Sequence, residues 1–307
     1  MDANNGVIAI IGYNRPLYFS RLMASLITNK EMFTMPVRFC IDGGGKADGY
    51  KEIIKSYERK YNIQNWEVIE QKINMGVGLH LFRVREQLLR SEEFDYVIVI
   101  EDDVVCSPHF LHTTNQLLAW STANYDNVPV VSAWSLNFLS VEEKKKNLRY
   151  VLATNDHWIT YAMTKQGWNA IRDIVQEYCV RFLNSVKYKQ RNSAEIKKWI
   201  AEKVSEITPH DFNSPFPGKV VVDVTKNFPT SQDGIIAAAF NSLGYVKVNT
   251  KVNRCLYIGE IGEHGTREIY KNKRYGEMTL GTYAEDQIIR DFIPMTTVWK
   301  NHKTEEM

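Results

Sequence analysis

Apolar residues in this chain come in short, unbroken blocks separated by turn-forming residues, the pattern of strands that are covered on both faces. Gly6 to Tyr13 (GVIAIIGY) predicts a first buried strand, and Pro16 then opens a helix carrying Leu17, Phe19, Leu22 and Leu26. Val37 to Ile41 predicts a second strand, ending in Asp42-Gly43-Gly44-Gly45, a turn flexible enough to bring backbone close to a ligand. A charged helix from Tyr50 and an alternating strand at Trp66 to Gln71 follow, and after Asn74-Met75-Gly76-Val77-Gly78 an amphipathic helix runs through Leu89. The fourth strand, Tyr96-Val97-Ile98-Val99-Ile100, runs straight into Glu101-Asp102-Asp103. Strand-helix alternation of this kind predicts an α/β fold with a mostly parallel sheet and right-handed crossovers.

The second half is less regular. Pro108 predicts a helix to about Ala123, and Val128 to Trp134 predicts a strand lying beside the acidic one. A long helix from Lys165 to Val186, another from Ser193 to Ile207, a shorter one after Ser231 and a β-rich stretch from Val246 to Ile258 complete the expected elements. There is no internal repeat and no low-complexity linker.

Composition narrows the class. The chain has 307 residues, 44% of them hydrophobic, which is enough for one large α/β domain. Its net charge of +2 gives no electrostatic reason to expect a nucleic acid partner. The basic run Lys144-Lys145-Lys146 is read as a solvated loop or helix end. Cys40, Cys106, Cys179 and Cys255 lack CxxC spacing, so reduced thiols are expected, and with no basic leader and no long apolar helix a cytoplasmic setting is the default. Contact with a membrane would be at most peripheral, through Lys187 to Arg191 and Tyr270 to Tyr275.

The acidic tip is where chemistry is expected. Three adjacent carboxylates repel one another, a cost most readily met where a cation or a ligand's donor groups neutralise them. In open α/β sheets, ligands bind beyond the carboxyl ends of the strands, which is where Glu101, Asp102 and Asp103 fall. A hard divalent cation, Mn²⁺ or Mg²⁺, needs only one or two such carboxylates when a diphosphate supplies the rest, and Asp103 is the first choice as direct ligand. There is no GxxxxGK[ST] loop and no DxDx[TV] pair, which argues against nucleoside triphosphatases and phosphoaspartate enzymes.

The order and spacing of several motifs resemble the N-acetylglucosaminyltransferase I family of inverting glycosyltransferases. These run from Asn14-Arg15 after the first strand through Asp42, Glu101-Asp102-Asp103 and Val131-Ser132-Ala133-Trp134. They continue with Gln232-Asp233 and then Asn253-Arg254-Cys255, leading to Gly259, Gly262, His264 and Gly265. The resemblance implies a GT-A fold, a mixed and mostly parallel Rossmann-like sheet flanked by helices. Residues 1–135 would then form the nucleotide-sugar half and residues 136–307 an acceptor-binding half with added helices, in one continuous catalytic domain.

Carried over residue by residue, the resemblance implies that Arg15 and Asp42 hold the nucleotide of a UDP-sugar donor, Asp42 facing the uracil imide. It implies Glu101 on the donor sugar, Asp102 on the ribose and Asp103 on manganese. Asn74 and His80, Arg83 and Arg85 lie in the segment expected to border the base, and His264 in a glycine-rich segment that could fold over the diphosphate. Inversion needs one carboxylate to take the acceptor hydroxyl's proton, and Asp233 at a helix start fits that role. The family has Trp-Asp-Asp where this chain has Ser231-Gln232-Asp233. Asp223, at the end of Lys219-Val220-Val221-Val222, is a lesser candidate, and Trp134 and Trp158 are expected in the core.

The expected activity is metal-dependent, inverting transfer of N-acetylglucosamine or another hexose from UDP to a glycan or glycolipid hydroxyl. Two rivals remain: a nucleotidyltransferase that makes a nucleotide sugar, and a non-catalytic carbohydrate-binding scaffold.

Overall fold

A computed structural model describes residues 5–90, 93–154, 158–184, 190–206, 230–262, 266–295, 297–300 and 303–306. Strands β1 (Gly6–Gly12), β2 (Val37–Ile41) and β3 (Trp66–Glu70) are joined through helices α1 (Pro16–Leu26), α2 (Glu31–Thr34) and α3 (Ala47–Tyr61). Helix α4 (Val77–Arg90) then carries the chain back across the sheet to β4 (Tyr96–Glu101). These four strands pair in parallel in the order β3-β2-β1-β4, so connections leave β1 in one direction and return to β4 from the other. That reversal opens a crevice at the carboxyl ends of β1 and β4.

The unbroken apolar runs in β1 and β4 reflect burial on both faces. Ile8 and Ile10 with Ile98 and Ile100 point into one core, packed by Phe19, Leu22 and Leu26 of α1, by Tyr50 and Ile54 of α3 and by residues of α5 (Phe110–Asn124). Val7, Ala9 and Ile11 with Val97 and Val99 point into the other, packed by Leu81, Val84 and Leu88 of α4 and by later helices. Alternate side chains of a strand face opposite ways, so a strand between two cores has no polar positions to alternate.

The rest of the sheet is mixed. Short β5 (Val104–Cys106) leads to α5, followed by β6 (Val130–Ser132), α6 (Val141–Asn147), β7 (Tyr150–Thr154) and β8 (Thr160–Thr164). Helices α7 (Lys165–Tyr178), α8 (Ser193–Glu206) and α9 (Gln232–Ser242) cover the second core. The chain returns through β9 (Lys247–Thr250) and β10 (Cys255–Tyr257), then α10 (Arg267–Asn272) and β11 (Ile293–Pro294). The nine-stranded order is β11-β7-β9-β6-β8-β4-β1-β2-β3, with β8 antiparallel to both neighbours and β7 antiparallel to β9. It is therefore a mixed, mostly parallel sheet flanked by helices.

Several expectations need correction. The strand expected next to the acidic one, β6, is shorter and lies one place further out, because β8 inserts between them. β7 and β8 carry too little apolar periodicity to stand out; pairing with the finished sheet makes them strands. The helix expected to reach Val186 gives way at Tyr178 to a π-helical turn, Cys179–Leu183. Lys144 is not solvated: it is buried, and its Nζ donates to Thr279 Oγ1 at 2.7 Å. Arg191, near the segment considered for membrane contact, instead donates to Tyr178 Oη and to the Thr230 carbonyl. All four cysteines are free and buried. No described helix is long and apolar enough to cross a membrane.

One buried ion pair places the segment after β9. Arg254 and Asp286, 0% and 1% exposed, meet at 2.6 Å, and Arg254 also donates to the carbonyls of Val252 and Leu148. This holds β10 against β5, the strand that starts directly after the acidic triplet. Asp286→Asn, which leaves the guanidinium buried without its counter-charge, is expected to cost about 3 kcal/mol or more. Urea unfolding measures the loss, and a variant as stable as the parent would show that the pair contributes nothing.

Candidate active site

The crevice between β1 and β4 is lined by Tyr13, Asn14 and Arg15 after β1, Asp42 after β2, Asn74, Gly76, Val77 and His80 around the start of α4, Glu101 to Asp103, and Tyr257 of β10. Four consecutive strand-to-helix connections thus converge on one cleft. Arg15, Asp42, Asn74, Glu101, Asp102 and Asp103, singled out in the sequence, all line it.

Arg15 stands between two of the acids. Its Nη2 donates to Asp102 Oδ1 at 2.5 Å and its Nη1 to Asp103 Oδ2 at 2.6 Å. The second oxygen of Asp102 accepts from the Tyr50 hydroxyl, which in turn accepts from the backbone amides of Arg15 (2.9 Å) and Tyr13 (3.3 Å). Both oxygens of Asp102 are therefore bonded, which fixes the turn after β1, and each keeps a further lone pair. Asp103 is different: it is 2% exposed and its Oδ1 has no partner among the described residues. Gly259 packs directly on this carboxylate, and a β-carbon there would collide with Asp103 Oδ2.

One guanidinium does not balance three carboxylates. Burial pushes Glu101 well above the usual carboxylate range, and the charges of Asp103 and Asp233 add to the effect while Arg15 opposes it. Burial likewise raises Asp102 to about 6 against the pull of Arg15. The acids do not serve as helix caps, because α5 starts at Phe110 with His109 as its cap residue. A cleft with excess negative charge and an unpartnered, buried carboxylate oxygen fits a hard cation that takes one protein ligand and completes its shell elsewhere. Among the described residues no set of three His, Cys, Asp or Glu side chains could enclose a metal by itself.

Asp42 is buried and works as a brace. Its Oδ1 accepts from the amides of Gly43 and Met75 and its Oδ2 from that of Gly76, tying the β2 turn to the start of α4. Gly76 has φ +74°, a left-handed conformation that favours glycine. Oδ2 accepts a single bond and keeps acceptor capacity. His80 lies beside it, 1% exposed, with Nε2 3.1 Å from the Cys40 carbonyl. That carbonyl requires a proton on Nε2, and burial lowers the ring's pKa, so the imidazole is neutral with a lone pair on Nδ1. Nδ1 has no partner among the described residues. Asn74 is exposed, with its amide spent on Tyr13 Oη and the Gly76 backbone.

Asp233 lies in the first turn of α9, whose cap is Ser231, so Asp233 does not cap the helix itself. It is not among the residues that line the crevice, but its charge is felt at Glu101, which is. Burial raises its pKa to about 6, with Arg85 and Lys247 opposing. Ser132 of the Ser-Ala-Trp strand donates to the Thr160 carbonyl, and Trp134 and Trp158 are core residues. His264 and Asp223 lie outside the described residues. Sequence reasoning missed Tyr50 and Tyr257. Tyr50 carries no local signal, whereas Tyr257 sits within the Asn253 to Gly265 motif.

No protein-family model matches the chain. No curated protein matches it by sequence. Among solved structures, similar folds include a mannosyltransferase from Pyrobaculum calidifontis in complex with GDP-Man and Mn²⁺, at 14% identity and a TM-score of 0.39, over 63% of this chain and 51% of that one. S. aureus TarS in complex with UDP-GlcNAc gives 17% identity and 0.38, over 55% and 48%. A 4-diphosphocytidyl-2C-methyl-D-erythritol synthase from Anaerococcus prevotii gives 11% and 0.37, over 65% and 84%. The chain spans about half the length of the two glycosyltransferases, and likeness at this level is partial.

Proposed function

We propose that the protein is a glycosyltransferase of GT-A type that transfers a hexose or N-acetylhexosamine from UDP to a glycan or glycolipid hydroxyl with inversion. The observation that carries this reading is the convergence of Arg15, Asp42, His80 and the Glu101–Asp103 triplet on one cleft at the switch point of the sheet. A nucleoside diphosphate fits it in one direction. Asp42 Oδ2 and the neutral His80 offer acceptors suited to a uracil imide hydrogen, at the end of the cleft away from the acids. Asp102 receives the ribose, Arg15 the diphosphate, and Glu101 the donor sugar. Asp103, through its unpartnered Oδ1, is the residue that would hold Mn²⁺ or Mg²⁺.

Such an ion, when bound, neutralises the charge that builds on a departing diphosphate. The chain's own groups do the rest. The Arg15 guanidinium can turn from Asp103 to the phosphates, since it is partly exposed and is held by two hydrogen bonds. Asp233 takes the proton of the acceptor hydroxyl. As that O–H bond breaks, the hydroxyl oxygen bonds to the anomeric carbon from the face opposite UDP, and the bond from that carbon to phosphate breaks with its electron pair leaving on UDP.

Exchanging Asp103 for Ala is expected to abolish manganese-dependent transfer and the manganese-dependent part of the thermal stabilisation by UDP, while the unliganded protein melts normally. Full activity in that variant would remove Asp103 from the metal site. Replacing Asp233 with Asn is expected to lower kcat by about two orders of magnitude or more with donor affinity retained. A base acts in its ionised form, so with Asp233 near pH 6 the wild-type rate should rise with pH through about 6 and fall away below it. A rate unchanged between pH 5 and 8 would place the base elsewhere. Assays with UDP-sugars should release UDP; release of pyrophosphate would favour the nucleotidyltransferase alternative.

A further inference from the structure

Arg85 is a buried charge with no ion pair among the described residues. It is 0% exposed, in the middle of α4, with its guanidinium between the rings of Tyr161 (5.8 Å) and Trp168 (5.5 Å). Its Nε donates to the Tyr161 hydroxyl at 2.9 Å and its Nη2 to Gln232 Oε1 at 3.1 Å, while Nη1 has no partner among the described residues. Arginine does not shed its proton on burial, so the site must supply compensating negative charge. No described carboxylate forms an ion pair with Arg85. The compensation comes one bond further on, because Gln232 Nε2 donates to Asp233 Oδ1 at 3.0 Å.

The direction of this chain of bonds is forced. A guanidinium offers only N–H groups, so the Gln232 atom facing it must be the oxygen. The amide's NH₂ end is then turned to Asp233, where it needs an unprotonated acceptor. Gln232 is 4% exposed, and reversal would set its NH₂ against the guanidinium and its oxygen against the carboxylate. One oxygen of Asp233 is tied down in this way.

Resting on the assignment of Asp233 as the base, we propose that Arg85 and Gln232 are its positioning residues: Arg85 locks the Gln232 amide, the amide holds Oδ1, and Oδ2 is the oxygen that receives the acceptor's proton. The other charged or titratable groups facing Asp233 are Lys247 of β9, which lies over the Trp158 ring, Tyr161 of β8 and Glu101 of β4. Lys247 supports the ionised base and Glu101 opposes it.

Gln232→Glu tests the proposal with almost no change of shape. The new carboxylate would pair with Arg85 but would take the N–H from Asp233 and place a like charge beside it. Titration of the Asp233 carboxyl carbon by NMR, assigned by its loss in Asp233→Asn, needs no activity. Its midpoint should lie near 6 in the wild type and rise by about one unit or more in Gln232→Glu. The acid limb of kcat should move up with it, and donor KM should change by less than about twofold, since Gln232 does not line the cleft. If Gln232→Glu fails to fold, Gln232→Met, neutral and of similar length, removes the same N–H and should raise the midpoint too. A folded variant whose midpoint stays at the wild-type value overturns the proposal, even if transfer is intact. A midpoint that moves in a protein that transfers no sugar retains the tether and overturns the glycosyltransferase reading instead.

Discussion

Excess negative charge at the carboxyl end of β4 is the constraint around which the molecule is organised. Three consecutive acids leave a central strand, and only Arg15 faces them with a full positive charge among the lining residues. Tyr50 contributes a hydroxyl to Asp102, but it cannot add charge. Burial raises the proton affinities of Glu101 and Asp102, and the neighbouring acids add to it. A structure stable in this state can bind a cation or cationic complex there with little reorganisation, because the carboxylates are already held in place.

The elements around the acids serve this arrangement. The crossover from β3 through α4 to β4 opens the crevice, and Asp42 ties the β2 turn to the start of α4 by two backbone amides, of Met75 and Gly76. From the other half, the buried Arg254–Asp286 pair holds β10 so that Tyr257 and Gly259 close the wall next to Asp103. Tyr257 is itself a phenol made less acidic by burial and by the charges of Asp103 and Glu101. Each of these contacts joins residues distant in sequence, which is why the site exists only in the assembled sheet.

Much of the first half of the fold was legible in the chain. The two-faced burial of β1 and β4 makes their apolar runs continuous, and a continuous run followed by acids marks a central strand tip whatever the rest of the fold does. Asp103 was singled out for that reason, whereas Arg15 and Asp42 came from the resemblance. The second half of the chain was less legible. β7 and β8 are strands because a preformed edge accepts them, and Lys144, with no local pattern to distinguish it from Lys145 and Lys146, is buried because a distant threonine receives it. Asn74 lines the cleft, yet its amide is committed to the loop rather than left open to a ligand.

The amino-acid sequence alone determined the order of the first four strands' elements, their burial and the clustering of carboxylates at one tip, since periodicity and turn chemistry act over a few residues. It also marked Asp233 as an acid at a helix start. What only the tertiary structure decided was which partners those acids meet: Arg15 across two of them, no described partner for Asp103 Oδ1, and a glutamine turned toward Asp233 by an arginine 147 positions away. Hydrogen bonds and charges act over a few ångströms of space, and a linear pattern holds no record of which distant residues folding will bring within that range.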